Sequence, residues 1–222
     1  KTVFSEQLVI FPVDVDHAFA VLQSRAHELW ARFFSSSLGD GLRYTPSDCF
    51  ETFPMPLDWE NNKALEKAGE AYYTYRAELM VRHNEGMTQT YNRFHDPEEL
   101  SEDIFHLRDL HDAMDRAVLD AYGWDDLQPE CTFLLEYEEE DTKKKKPWRY
   151  RWPEAIHDEV LARLLDLNQT RALEEAPPTT KTSKKTTSTN SSTNKSKKKT
   201  KASHQQPTTE LPLLASIKPP ND

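Results

Sequence analysis

Segment 43–47 carries the residue types best suited to contacting nucleic acid. It supplies a cation, a phenol and two hydroxyls on a loop that a proline stiffens: Arg43, Tyr44, Thr45 and Ser47. Such side chains contact the phosphates and sugars of DNA. The structural alternative is that Tyr44 packs into a core with Phe50 and Phe53 while Arg43 pairs with an acid such as Glu51. Both interpretations remain open at the level of sequence.

Two other sets of cationic and aromatic residues are candidates for DNA contact. The run 148–152 reads Trp-Arg-Tyr-Arg-Trp, so Arg149 and Arg151 either contact DNA or belong to a short strand whose tryptophans are buried. Arg25 lies close to His27 and Trp30 in a segment with helical spacing. Because Trp30 falls on the apolar stripe of that helix, packing is favoured over base stacking.

Motifs of catalytic and nucleotide-binding sites are missing from the sequence. The five glycines never reach the spacing of a phosphate-cradling or dinucleotide-binding loop. Cys49 and Cys131 have no His or Cys at metal-ligand spacing, and no nucleophile elbow is present. We therefore predict no catalytic residue, no cofactor-binding residue and no metal ligand in this chain.

Histidines and aspartates recur in the segment 106–115. His106 and His111 are five residues apart, so a helix turns them away from a shared metal. We predict that His111 is packed in the core, and that Asp109, Asp112 and Asp115 line an opposite, solvated face.

Charge is distributed unevenly along the chain. Residues 179–222 carry nine lysines against two acids, about +7, so the total of −10 leaves residues 1–178 with about −17. An acidic body repels a phosphate backbone, and any DNA contact therefore needs a local basic patch. The tail, rich in Lys, Thr and Ser, is predicted to be disordered, and its lysines either hold DNA nonspecifically or are merely solvated.

Apolar spacing predicts a mainly α fold. A strand is expected over 2–11, followed by helices over 16–33, 59–85, 97–122 and 153–175. Asp14 or Asp16 is expected to cap the first helix, Gly86 to end the second, and Asp96 to cap the third. The predicted domains are the end of a mixed α/β domain over 1–57, a small antiparallel helical bundle over 58–176, and the tail over 177–222.

Six segments together resemble the C-terminal third of large single-chain restriction-modification adenine methyltransferases and of related phage-defence methyltransferases such as those of DISARM and BREX. The segments are 22–30 (LQSRAHELW), 43–56 (RYTPSDCFETFPMP), 91–97 (YNRFHDP), 107–111 (LRDLH), 121–124 (AYGW) and 148–154 (WRYRWPE). Their order and spacing cover residues 1 to about 175. The tail shows no such resemblance.

The resemblance implies that residues 1–57 end a target-recognition domain and that the helices behind them form a spacer. The complete enzyme would move a methyl group from S-adenosylmethionine to the amino group of adenine in a defined DNA sequence. Its catalytic domain would lie upstream and pack against this region, which is consistent with a chain that begins at Lys1 rather than Met. A stand-alone specificity or adaptor subunit is the alternative. Absence of an apolar leader or span predicts a cytoplasmic location.

Overall fold

Helices make up most of the structure, a computed structural model that describes residues 15–38, 41–136 and 148–175. The helices are α1 (Asp16–Gln23), α2 (Arg25–Phe34), α3 (Pro46–Cys49), α4 (Lys63–His83), α5 (Met87–Phe94), α6 (Glu102–Ala121) and α7 (Glu154–Glu175). The strands are β1 (Ser36–Leu38), β2 (Gly41–Arg43), β3 (Thr132–Leu135) and β4 (Trp148–Arg151). The mainly α prediction is confirmed. The strand expected over 2–11, the charged runs over 137–147 and the tail over 177–222 lie outside the described residues.

The single helix predicted over 16–33 is wrong, because Ser24 divides it. Ser24 has an extended backbone, with φ of −66° and ψ of 158°. Its hydroxyl donates to the carbonyl of Val21 at 2.7 Å and accepts from the amide of His27 at 3.4 Å, so one side chain closes α1 and caps α2. Asp16 is the first residue of α1 rather than its cap, and Val15 holds the cap position.

An asparagine holds the cap position at each end of helix α4. The side chain of Asn62 accepts hydrogen bonds from the amides of Ala64 and Leu65 at 3.0 and 3.1 Å. At the other end Asn84 adopts the left-handed conformation, with φ of 53°, which asparagine tolerates. The prediction that Gly86 ends this helix is therefore wrong, since Gly86 instead precedes α5, a helix the spacing did not reveal.

Helix α6 begins several residues later than predicted. Its cap position is Ser101, whereas the Asp96 carboxylate accepts from the amide of Glu98 within a preceding turn. Arg108 fixes this turn by donating to the carbonyls of Phe94 and Asp96, each at 2.9 Å. These bonds hold residues 96–101 in a turn outside the helix, and α6 begins only at Glu102. Gly123, with φ of 74°, follows the end of α6 as predicted.

Gly69 allows α1 and α4 to approach closely. A Cβ atom at this position would lie 2.1 Å from the carbonyl oxygen of Asp16, and backbone cannot move aside easily. Helix α1 belongs to the segment 1–57 and α4 to the segment 58–176. These two segments therefore share one core within the compact unit Lys1–Pro177. Their assignment to different domains of a larger enzyme stays a prediction.

Two strand pairs flank the helices. Strand β4 pairs antiparallel with β3, with Tyr150 opposite Phe133, so residues 148–151 form the short strand that was expected, while DNA contact by this run stays a prediction. Trp152 is buried at the end of β4, directly before α7. Helix α7 matches the predicted span, and Val160 and Leu164 are fully buried on its inner face. No helix in the described ranges is long and apolar enough to cross a membrane.

Candidate nucleic-acid interface

Arg25 is the centre of a buried ion network between α2 and α6. The side chain is 4% exposed, although arginine is seldom buried without partners. Its Nη1 atom donates to Asp112 Oδ1 at 2.9 Å, lies 2.9 Å from His111 Nδ1, and also contacts Asp115 Oδ2. The amide of Arg25 donates to Asp115 Oδ1 at 2.8 Å, so this carboxylate also satisfies a free N–H in the first turn of α2.

Asp115 is ionised within this network. Burial alone raises the pKa of this carboxyl, but Arg25 and His111 outweigh it and hold the pKa below its ordinary value. The prediction of a solvated acidic face is wrong for Asp112 and Asp115. Asp115 lies four residues after His111, on the same face of α6, and that face meets the arginine.

The same residues have the donor set of a metal site. His111, Asp112 and Asp115 offer ligand atoms that all lie within 4.8 Å of one another. The Arg25 guanidinium, however, contacts each of these three side chains. It supplies positive charge to both carboxylates, so these side chains form an ion network with Arg25.

The connector 43–56 is pinned to α2 by aromatic side chains. Tyr44 lies 3.0 Å from His27 Nε2 through its hydroxyl, and the ring of Phe53 meets His27 edge to face with centroids 4.6 Å apart. Trp30, fully buried, donates to Thr52 Oγ1 at 3.1 Å. Burial raises the pKa of Tyr44 to about 12 and lowers that of His27 to about 4, so both are neutral at pH 7. The packing interpretation is confirmed for Trp30. Tyr44 contacts His27 but is only half-buried, and its contact with DNA stays a prediction.

The remaining connector candidates differ in exposure. Arg43 is exposed, and the described part of the chain gives it no carboxylate within ion-pair distance. Thr45 directly precedes α3, and its carbonyl accepts a hydrogen bond from the amide of Cys49 at 2.8 Å. Ser47 is exposed and donates to Asp48 at 3.2 Å. Arg43 and Ser47 are therefore the most exposed of the four connector candidates, while Tyr44 and Thr45 are half-buried.

A second group of arginines surrounds a small open cavity, which we term the arginine cleft. Its volume is about 120 Å³, and its charged lining includes Glu28, Arg32, Glu136, Arg149 and Arg151, with His95 beside them. Arg25 also reaches its wall. Cations outnumber carboxylates here, whereas residues 1–178 as a whole are strongly acidic. The cleft is thus a local basic site on an acidic body.

Glu136 bridges two of these arginines. Its Oε1 atom lies 3.2 Å from Arg32 Nη1, and its Oε2 atom lies 2.9 Å from Arg149 Nη2. Arg151 pairs weakly with Glu154 at 3.7 Å, and its Nε atom is buried without a hydrogen-bond partner among the described residues. An unmet buried donor costs on the order of 1–3 kcal/mol, which favours an acceptor at this position.

The structure brings three of the seven predicted DNA-contact residues together. Arg25, Arg149 and Arg151 line the cleft, while Arg43, Tyr44, Thr45 and Ser47 lie on the connector. Arg25 is paired with the carboxylates of Asp112 and Asp115, and this pairing gives it a structural role. Sequence reasoning missed Arg32 and Glu136. Arg32 was detectable, because it lies seven residues, two helical turns, beyond Arg25 on one face. Glu136 was not, because strand β3 had not been recognised.

Hydrogen bonds join the six segments that carry the family resemblance. Arg25 of 22–30 binds His111 of 107–111, whose neighbour Arg108 binds the Phe94 carbonyl in 91–97. The amide of Tyr150 in 148–154 donates to His95 at 3.1 Å, and Tyr122 of 121–124 donates to the Pro54 carbonyl at 2.9 Å. Each of the six segments therefore contributes at least one residue that helps to hold the fold together.

Comparisons with known proteins yield one match. No protein-family model matches the sequence, and no curated protein matches it. Among solved structures, the fold is similar to that of MmeI, a Type IIL restriction-modification enzyme in complex with DNA, with 21% identity and a TM-score of 0.47. The match covers 73% of this chain and 17% of that enzyme. The chain thus spans a small share of MmeI, and a likeness at this level carries no functional argument.

Proposed function

We propose that this chain is the C-terminal target-recognition and scaffold portion of a site-specific DNA N6-adenine methyltransferase of a restriction-modification or phage-defence system. The observation that carries the proposal is the network joining the six motif segments. Residues up to 86 positions apart meet through side chains of the segments that carry the resemblance. This network supports the proposal, because the segments that carry the resemblance are connected to one another in the structure.

The proposed role is recognition and support, without chemistry in this segment. The titratable cluster at Arg25 is buried and internally paired, so it offers no base or nucleophile to a substrate. S-adenosylmethionine would be bound by an upstream catalytic domain, since the glycine-rich turn and the polar-Pro-Pro-aromatic loop of adenine methylation are missing from this sequence.

Exposed apolar side chains fit the proposed packing against an upstream domain. Leu57, Val81 and Leu100 are 78%, 82% and 77% exposed, and Met87 is about half exposed. A covering domain would bury these side chains.

Methyl transfer from labelled donor tests the proposal. We expect the purified 222-residue chain to incorporate no label into duplex DNA, and the longer polypeptide encoded by a continuous upstream frame to label the adenine amino group. Labelling by the 222-residue chain alone, or an upstream frame without a donor-binding motif, would contradict the proposal. A stop codon directly upstream would instead indicate the stand-alone subunit.

A further inference from the structure

We propose that the arginine cleft binds a backbone phosphate of duplex DNA at the position now held by the Glu136 carboxylate. The inference rests on the proposed function, because it takes DNA as the partner, and it identifies the contact residues. Arg32, Arg149 and Arg151 are the proposed phosphate ligands. Unlike Arg25, whose side chain is buried, they are partly exposed to solvent at the cleft and keep donors that the protein does not fully use.

Glu136 marks the anion position. One carboxylate oxygen meets Arg32 on α2 and the other meets Arg149 on β4, so the two guanidinium groups already converge on a pair of oxygen atoms. A phosphate presents oxygen pairs of the same kind to arginine. The side chain of Glu136 is 29% exposed, and the residue directly follows the end of strand β3. It can therefore be displaced without disrupting the core.

Arg151 adds a donor that the bridging carboxylate does not reach. Its Nε atom is buried and has no acceptor in the described structure, although the residue lines the cleft. His157, in the first turn of α7, lines the same cleft, so the positive end of that helix dipole lies nearby. A phosphate has more acceptor oxygens than the carboxylate, and one of them would satisfy this donor.

Opposing charges are part of the proposal. Glu28 also lines the cleft and pairs with Arg32 at 2.8 Å, and Glu136 competes directly for the same arginines. These carboxylates weaken the attraction for DNA until a phosphate replaces Glu136. Binding of DNA should therefore respond in opposite directions to the loss of an arginine and to the loss of the Glu136 charge.

The proposed phosphate contact is tested by measuring the binding of the 222-residue chain to a short fluorescent DNA duplex at low salt. We expect Arg149→Ala and Arg151→Ala each to weaken binding about tenfold, and each to lower the salt slope by about one. Arg82→Ala is the matched control, since Arg82 is a half-exposed arginine paired with Asp103 outside the cleft. The lysine tail is common to all variants. Equal affinities of Arg149→Ala, Arg151→Ala and Arg82→Ala would overturn the proposal.

Glu136→Gln provides the second arm. It keeps the size of the side chain but removes the competing charge, so we expect binding to tighten about threefold or more. Misfolding cannot mimic this gain. Unchanged or weaker binding by Glu136→Gln would show that Glu136 does not occupy the DNA phosphate position and would overturn the proposal.

Inorganic phosphate distinguishes the source of the ligand. We expect the cleft variants to change duplex binding, and inorganic phosphate at matched ionic strength to compete with the duplex for the wild-type cleft. If the variants change the binding of inorganic phosphate but not of duplex, the assignment to DNA fails. Adenine labelling by the longer polypeptide would then still support the proposed function, so the two failures are separable.

Discussion

Arg25 and Arg32 project from the same helix, two turns apart, and both meet carboxylates, yet their surroundings differ. Arg25 is buried and surrounded by Asp112, Asp115 and His111, which leave its Nη1 no capacity for a further ligand. Arg32 is 43% exposed and shares the Glu136 carboxylate with Arg149 across a cleft. Residue type alone therefore does not distinguish a structural cation from a binding cation. Burial and the number of committed partners do.

The same contrast separates the energetic roles of the two clusters. A buried charge that loses its partner keeps the full cost of desolvation, whereas an exposed pair is compensated by water. We therefore expect substitutions at the Arg25 network to change stability, and substitutions at the cleft to change binding. Each prediction below tests one side of this contrast.

Among the substitutions, Asp115→Ala should have the largest effect on stability. It leaves the Arg25 guanidinium buried with its best partner removed and leaves an amide of α2 without an acceptor. We expect the free energy of unfolding to fall by about 3–5 kcal/mol, measured by urea denaturation. Asp120→Ala is the control, because Asp120 pairs with Arg116 on the exposed side of α6 and should cost less than about 1 kcal/mol. Similar losses from the two variants would contradict the contrast.

Much of the helical fold could be predicted from sequence, because apolar spacing is a local property. Helix α7 and the end of α6 at Gly123 follow directly from it. The errors arise where a side chain overrides the spacing. The apolar spacing continues across Ser24, but the hydrogen bonds of its side chain divide the helix there. The acidic residues from Asp96 predicted the start of a helix, but Arg108 holds this segment in a turn.

The candidate site was less accessible to sequence reasoning. The run 148–152 revealed Arg149 and Arg151, but the pairing of β4 with β3, some fifteen residues earlier, brings Glu136 to the same place. Asp112 and Asp115 carry the charge typical of a wet face, and nothing local indicates that Arg25, about ninety residues away, lies against them. In both cases the contact joins residues that are far apart in the sequence, so local patterns could not predict it.

Acid should destabilise the protein through its buried histidines. Burial lowers the pKa of His27 to about 4, and burial together with Arg149 lowers that of His95 to about 4. The unfolded chain, with a histidine pKa near 6.5, takes up these protons first. Stability is therefore full above about pH 6.5 and falls as the pH drops toward 4, by about 3 kcal/mol per histidine.

Urea denaturation at pH 7, 5.5 and 4 measures this loss. His27→Gln removes one of the two titrating groups, so its unfolding free energy should fall less steeply than that of the wild type over this window. A slope identical to the wild type would show that His27 is not protonated on unfolding and would remove its share of the effect.

Arg149→Ala should have the smallest effect on stability and the most local one. Its pair with Glu136 is about one third exposed, so we expect the free energy of unfolding to change by less than about 1 kcal/mol. The positive charge of Arg149 helps to lower the pKa of His95, and its removal should raise that pKa. The pKa of His27 is lowered by burial alone, so it should not change in the Arg149→Ala variant. Titration of the histidine ring protons by NMR measures both residues in one sample. A shift of His27 as large as that of His95 would mean that Arg149 supports the packing of the whole region, which would place it with Arg25 rather than with the cleft.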